Sequence, residues 1–166
     1  MRRLGPMLAA TLVAGVGLAG CGKSGSTGSE GAAGAPASAP VEVTDAQKAA
    51  LVAELPAPYS AGDVANGKRV FMICKSCHTT VQGGSDMTGP NLWGVFGRKA
   101  GTEGKFKYSE GLKAAGFAWD PAHVDSWITN PKAMVPDTKM SFAGVKDAKD
   151  RVDLVAYLKS ETSAPK

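Results

Sequence analysis

The stretch FMICKSCHTT, residues 71–80, brings two of the chain's three cysteines and one of its two histidines into five consecutive positions, Cys74 to His78. Whatever this chain folds into must hold both thiols and the imidazole on one short turn and give them a common partner. Three cysteines do not make an even disulfide framework, so each needs its own explanation. The chain has 166 residues, 43% of them hydrophobic, which is room for one ordinary domain plus appendages. Its formal net charge of +4 is modest, and no run of Lys and Arg interleaved with aromatics suggests a nucleic-acid surface.

The N-terminus reads as an export signal, residues 1–20, rather than as fold. Arg2 and Arg3 form a short cationic start, and the uncharged, largely apolar run from Leu4 to Ala19 is shorter than the roughly 20 residues of a membrane-spanning helix. Leu18-Ala19-Gly20-Cys21 resembles the lipobox of bacterial lipoproteins, in which the cysteine receives a diacylglyceryl group and becomes the mature N-terminus. The alternative is an ordinary leader cut at small residues, with Cys21 left idle. A free thiol on an exported chain is a liability, which favours lipidation at Cys21. Residues 22–43 are almost all Gly, Ser, Ala and Pro and cannot bury enough apolar area to offset their ordering entropy. They read as a disordered tether.

Thr44, with Gln47 three positions on, predicts the start of a short helix from about Asp45 to Glu54. Pro56 and Pro58 then predict an extended connector through residue 62. From Asp63 to residue 166 the chain reads as one compact domain. Asp63 caps a helix carrying VANGKRVFMIC, with Val64, Gly67, Val70 and Phe71 on one face. Gly67 inside that helix suggests close packing against another. The nominated partner is KDRVDLVAYLKS, residues 149–160, with Leu154 and Tyr157 expected to cross near Gly67 and Phe71. A third helix is predicted over 121–129, capped by Asp120, opened by Pro121 and stopped at Asn130-Pro131. Long segments rich in glycine and proline separate these helices, with no strand alternation. So much loop for so little sheet implies that something other than protein fills the centre.

CxxCH is the attachment signature of a c-type haem: two thiols three positions apart reach the two vinyl groups of one porphyrin edge, and the next histidine turns its imidazole to the iron. A structural zinc site would want a second ligand pair, whereas Cys21 and His123 lie in a tether and a helix. A thioredoxin-like redox CxxC would want a preceding strand and an alternating βα pattern, which are not found. The cofactor expected is therefore one haem c, covalent through Cys74 and Cys77.

From Asp63 to about Lys159 the chain resembles class I cytochromes c of the larger, mitochondrial-like kind, with CKSCH, TGPNLWGVFGRKAG, KYSEGL, TNPKAMVPDTKMSFAG and DLVAYLK in the family's order. The resemblance implies an all-α fold wrapped around one haem, with His78 and Met140 as the two iron ligands. His/Met ligation is chemically coherent, since a soft thioether favours ferrous iron and raises the potential. The resemblance also makes the Pro90 carbonyl the acceptor for the His78 ring N–H. It places Tyr108 and Trp119 on a haem propionate, Arg98 near that charge, Thr138 and Asn130 in the methionine loop, and Phe142 at the exposed haem edge. Trp127 departs from the family pattern, where a tyrosine commonly donates to the methionine sulfur. His123 is expected on a solvent-facing turn and receives no function.

A fully ligated iron implies an electron carrier rather than an enzyme. The rival from another class is a haem protein whose Met140 is displaced, acting as a small-ligand binder or peroxidase. The resemblance implies a quinol:cytochrome c oxidoreductase as donor and a terminal oxidase or another reductase as acceptor. The expected carrier is a monomer, held by lipid on the periplasmic side of a bacterial membrane. Lys75, Lys107, Lys132, Lys139 and Lys146 could ring the haem edge, interrupted by Asp86, Asp137 and Asp147.

Overall fold

The computed structural model describes residues 42–165. The leader, Cys21 and all of the tether but its last two residues lie outside them. The described chain runs as α1 (Asp45–Ala53), a 3-10 turn (Tyr59–Ala61), α2 (Val64–Phe71), α3 (Glu110–Ala114), α4 (Pro121–Thr129), α5 (Pro131–Met134) and α6 (Ala148–Thr162). Among the described residues the only β pairing is an isolated bridge between Lys99 and Ala118. The all-α expectation holds.

The caps explain where the helices begin. Thr44 and Gln47 form a reciprocal box: the Thr44 hydroxyl accepts from Gln47 N at 3.3 Å and the Gln47 side chain accepts from Thr44 N at 2.9 Å. Asp63 accepts from Ala65 N and Asn66 N, and Asp120 accepts from His123 N at 2.7 Å with Pro121 in the first turn. Asn130 closes α4 and opens α5, accepting from Ala133 N at 3.3 Å.

α2 lies directly on α6. A Cβ at Gly67 would stand 2.6 Å from the Asp153 carbonyl carbon and 2.6 Å from Tyr157 Cβ, so only glycine lets the two backbones meet. The Phe71 and Tyr157 rings pack at 5.3 Å. Tyr157 is where the sequence pattern expects it, Leu154 is fully buried in the core and lines the same cavity as Phe71, and Asp153, which the pattern did not single out, meets Gly67. The reason is polar. Asp153 is 2% exposed and accepts from Asp63 N at 2.8 Å, Asn66 Nδ2 at 2.7 Å and Lys149 Nζ at 2.5 Å. Burial alone would raise its pKa. The bonds from Lys149, Asn66 and Asp63 outweigh burial and hold the carboxyl below its ordinary range. The crossing of the two helices is thus locked by a satisfied buried charge.

The segment before Asp63 is not an extended connector. Val52, Leu55 and Tyr59 join the same hydrophobic core as Phe71 and Leu158, and Lys48 pairs with Glu161 of α6 at 2.5 Å. Burying the Tyr59 ring draws residues 59–61 into a turn, and its hydroxyl donates to Asp125 at 3.0 Å. Its pKa is pushed up to about 12, by burial first and then by Asp125. α2 also stops earlier than the apolar spacing suggests. It ends at Phe71, and the chain continues in tight turns, with Cys74 N on Phe71 O at 2.8 Å and His78 N on Cys74 O at 3.0 Å.

Candidate functional site

Those turns set the geometry of the motif. Cys77 N bonds Cys74 O at 3.0 Å, so the chain from Cys74 to His78 closes one compact turn that carries both thiols and the ring. Both cysteines are half-buried and free of disulfide. Burial, with the neighbouring Cys77 adding to it, pushes the Cys74 thiol up to about 11.

The His78 ring is held from both sides. Its Nδ1 lies 2.8 Å from the Pro90 carbonyl, which can only accept, so Nδ1 carries the proton and Nε2 presents its lone pair. Burial lowers the His78 pKa and the Pro90 contact opposes that shift. A neutral imidazole is the form that binds a metal. Gly89 supplies the space: a Cβ there would lie 2.7 Å from both Nδ1 and Nε2. Gly89 N also bonds Cys77 O at 2.9 Å, which ties this loop to the motif. Buried Asn91 holds the rest of the loop, donating to Thr79 Oγ1 at 2.6 Å and Val81 O at 3.0 Å and accepting from Trp93 N at 2.7 Å.

A second group of residues presents Met140. Met140 N donates to Thr138 Oγ1 at 3.2 Å, and Thr138 N bonds Val135 O at 3.0 Å, so the loop leaving α5 is pinned by its own threonine. The Trp127 indole N–H of α4 donates to Met140 Sδ at 3.2 Å. Trp127 packs edge-on to Trp119 at 5.4 Å, and Trp119 edge-on to Phe117 at 4.8 Å.

These groups face one cavity of about 360 Å³. Cys74, Cys77, His78, Pro90, Arg98, Tyr108, Trp119, Thr138, Met140 and Phe142 all line it, so the structure brings these residues named from the sequence together. Phe71, Leu92, Val95, Leu112, Ile128 and Leu154 supply its apolar wall. An apolar cleft with a neutral imidazole nitrogen, a thioether sulfur and two free thiols fits a covalent haem.

The polar residues are less uniform. Arg98 ion-pairs with Glu103 and donates to Trp93 O at 3.0 Å and Asn91 O at 3.1 Å, so it braces the loop while facing the cavity. Burial pushes the Tyr108 hydroxyl up to about 12. Buried Trp119 lines the cavity beside Tyr108. Asn130 acts through its helix caps, outside the cavity wall.

His123 is on a helical turn with its side chain 39% exposed, as expected. It sits in the first turn of α4 and stacks face to face on Phe117 at 4.5 Å and 13°. The five lysines of the supposed ring are all exposed, but Lys139 Nζ is turned onto Lys107 O at 2.8 Å. The three interrupting aspartates have structural duties. Asp86 accepts from Asn91 N at 2.8 Å, Asp137 from Gly111 N at 2.9 Å and Asp147 from Asp150 N at 2.9 Å. The sequence reasoning gave no role to Gly89 or Asn91. Their only signal was the quoted run TGPNLWG, where they flank Pro90.

The sequence model of the family described as Cytochrome c matches residues 64–162, more than half of the chain. The chain is 46% identical over 103 residues to cytochrome c of Theileria annulata, covering 61% of this chain and 89% of that one. It is 43% identical over 103 residues to cytochrome c2 of Rhodomicrobium vannielii, covering 62% and 82% respectively. Among solved structures it is similar to cytochrome cH from Methylobacterium extorquens, with 42% identity, a TM-score of 0.56, and coverage of 60% of this chain and 99% of that one. With the attachment turn, the cavity and the matched residues all in the same place, this chain belongs to the cytochrome c family of electron carriers, with one haem c bound covalently through Cys74 and Cys77.

Proposed function

We propose that this chain shuttles single electrons between membrane redox complexes on the periplasmic side of a bacterial membrane, with His78 and Met140 as the residues that would hold the iron. The observation that carries the ligand assignment is the Trp127 N–H on Met140 Sδ at 3.2 Å, which fixes the thioether at the cavity wall. The haem supplies a one-electron couple at its iron. The protein's own residues set the conditions: Pro90 and Gly89 fix the His78 ring with Nε2 presented, Trp127 and Thr138 hold the sulfur, and Tyr108, Trp119 and Arg98 offer donors and a positive charge for the haem carboxylates. Phe142 covers the edge. With His78 Nε2 and Met140 Sδ both offered to the iron, the protein would leave it no position for an outside ligand, so the reading is a carrier and not a small-ligand binder or peroxidase. Native ferrous protein should give no carbon monoxide difference spectrum. A stoichiometric adduct formed without denaturant would overturn the ligand assignment in favour of the displaceable-methionine alternative.

The partners that fit are a quinol:cytochrome c oxidoreductase as donor and a terminal oxidase or another reductase as acceptor. Cys21 carries the lipid and residues 22–43 the leash. Each buried CH₂ of an acyl chain contributes roughly 0.8 kcal/mol, so two chains make release negligible. A Gly/Ser-rich tether of this length has a root-mean-square span of about 25 Å, enough to swing between neighbouring complexes. Cell fractionation checks this. Wild-type haem protein should sediment with membranes and the Cys21→Ser variant should appear in the soluble periplasm, whereas equal release of both would rule out the anchor.

A further inference from the structure

Residues 45–62 precede the stretch 64–162 that the family model matches, yet the fold builds them into the same domain. α1 and the turn Tyr59–Ala61 both pack on α6, and Val52, Leu55 and Tyr59 enter the common core. Lys48 fastens α1 to Glu161 near the C-terminal end of α6. Towards the other end of the segment the Tyr59 hydroxyl reaches α4 and donates to Asp125 Oδ2 at 3.0 Å. Burial, then Asp125, pushes that hydroxyl up to about 12, so at neutral pH it is always a donor.

Asp125 joins this extension to the loop that carries Met140. Its other oxygen, Oδ1, accepts from Arg151 Nε of α6 at 2.6 Å. The same guanidinium donates through Nη1 to Val145 O at 3.2 Å and Lys146 O at 2.9 Å. Val145 N in turn donates to Ile128 O of α4 at 2.8 Å, and Gly144 lies so near the Thr129 carbonyl that a Cβ there would run into it. The chain before Met140 is pinned by Thr138 and Val135, and the chain after it by this Asp125–Arg151 contact. Two positions on from Asp125, roughly half a turn round the helix, Trp127 donates to Met140 Sδ at 3.2 Å. Asp125 thus braces both the helix that carries Trp127 and the backbone that follows the sulfur. A hydrogen bond to a charged acceptor is stronger than one between neutral groups, and a carboxylate held by two donors keeps less rotamer freedom than one held by a single donor.

We propose that Tyr59 is a positioning residue for Met140: by holding Asp125 it sets how firmly the methionine loop keeps its sulfur at the cavity wall. The extension ahead of the matched stretch then lowers the fraction of molecules in which the sulfur stands away from the iron. This inference rests on the carrier reading, with His78 and Met140 as the residues that would hold the iron, and adds to it a residue from outside the matched stretch.

The test uses the full-length ferric holoprotein carrying Cys21→Ser, with Tyr59→Phe removing one hydroxyl and keeping the ring. Imidazole is the probe: it suits iron, and it can replace the sulfur only where the methionine has let go, so its apparent affinity reads that fraction. Tyr59→Phe should bind imidazole at least about threefold tighter, the loss of part of one hydrogen bond to a charged acceptor. Lys48→Met, on the same extension but paired with Glu161, should stay within about 1.5-fold of wild type. In an Asp125→Ala background Tyr59→Phe should bring no further tightening, because its acceptor is already gone. Amide hydrogen exchange in the ferrous protein gives a readout free of imidazole. The Val145 N–H, bonded to Ile128 O, should exchange at least about threefold faster in Tyr59→Phe, while the Leu92 N–H, bonded to Thr79 O, keeps its wild-type rate. If Tyr59→Phe takes up too little haem by its Soret absorbance, Asp125→Asn, which weakens the same contact, replaces it with the same expectation. Equal acceleration at both amides, or imidazole affinity that moves alike in Tyr59→Phe and Lys48→Met, would mark general loosening and overturn the positioning role. A wild-type ferric protein without the sulfur-to-iron band would bring down the ligand reading and the positioning role with it. An intact band with unmoved imidazole affinity in Tyr59→Phe would sink the positioning role alone and leave the carrier standing.

Discussion

Replacing Cys74 and Cys77 together by alanine, and preparing the chain without haem, should yield a protein with no cooperative thermal transition and with most of its helical circular dichroism lost. The cavity explains the size of the effect. Its walls come from the end of α2, from α3, α4 and α6 and from the loops between them, so its contents are the core these elements share. Left dry, a cavity of 360 Å³ costs on the order of 9 kcal/mol at about 24 cal/mol per Å³. A domain of this size has only about 5–15 kcal/mol of stability in total. The α2–α6 contact around Gly67 and the Asp153 bonds are intact in principle, yet they are too few to hold the rest. Calorimetry and circular dichroism decide the matter. A sharp transition with native helicity in the haem-free double variant would show that the protein core stands without the porphyrin.

The second large effect is expected at Met140. Met140→Ala should abolish the weak long-wavelength sulfur-to-iron band of the ferric protein and open the iron to carbon monoxide. It should also lower the reduction potential by a substantial part of the roughly 0.8 V range that axial ligands command. Trp127→Phe is the companion measurement. It removes only the indole N–H at 3.2 Å from the sulfur, so the band should persist while the potential moves by far less. Survival of the band in Met140→Ala would mean that another methionine supplies the sulfur. Met72 and Met87 are exposed, and Met134 lies in α5 outside the cavity wall, so none of the three is placed to do so.

The attachment motif and the helix starts were legible because each depends on residues adjacent in sequence. The Thr44–Gln47 box, the Asp63 and Asp120 caps and Pro121 in the first turn of α4 are all local chemistry, and each lies where the pattern puts it. α3 and α5 escaped notice because five and four residues are too few to show a helical period. Only Ser109 and Asn130, as caps, could have announced them. The early end of α2 was hidden for a different reason: Met72 and Ile73 continue the apolar run, although both are exposed. Their hydrophobicity belongs to the surface, which no periodicity argument could tell from core.

The sequence by itself determined the cofactor and the class of fold. CxxCH needs nothing beyond five consecutive residues, and a chain so rich in loops has no other way to fill its centre. Tertiary structure decided how the site is held. Whether an indole can stand where the family has a phenol depends on the distance between α4 and the loop after α5, and that distance is set by Asn130 capping one helix while ending the other. The need for glycine at position 89 follows from where Pro90 places the His78 ring. The lysines and aspartates named from the sequence as a docking ring are divided by contacts far apart along the chain, such as Asp137 on Gly111 and Lys139 on Lys107. A charge counted in sequence has no direction, whereas what a partner meets depends on where the fold's hydrogen bonds turn each charged group.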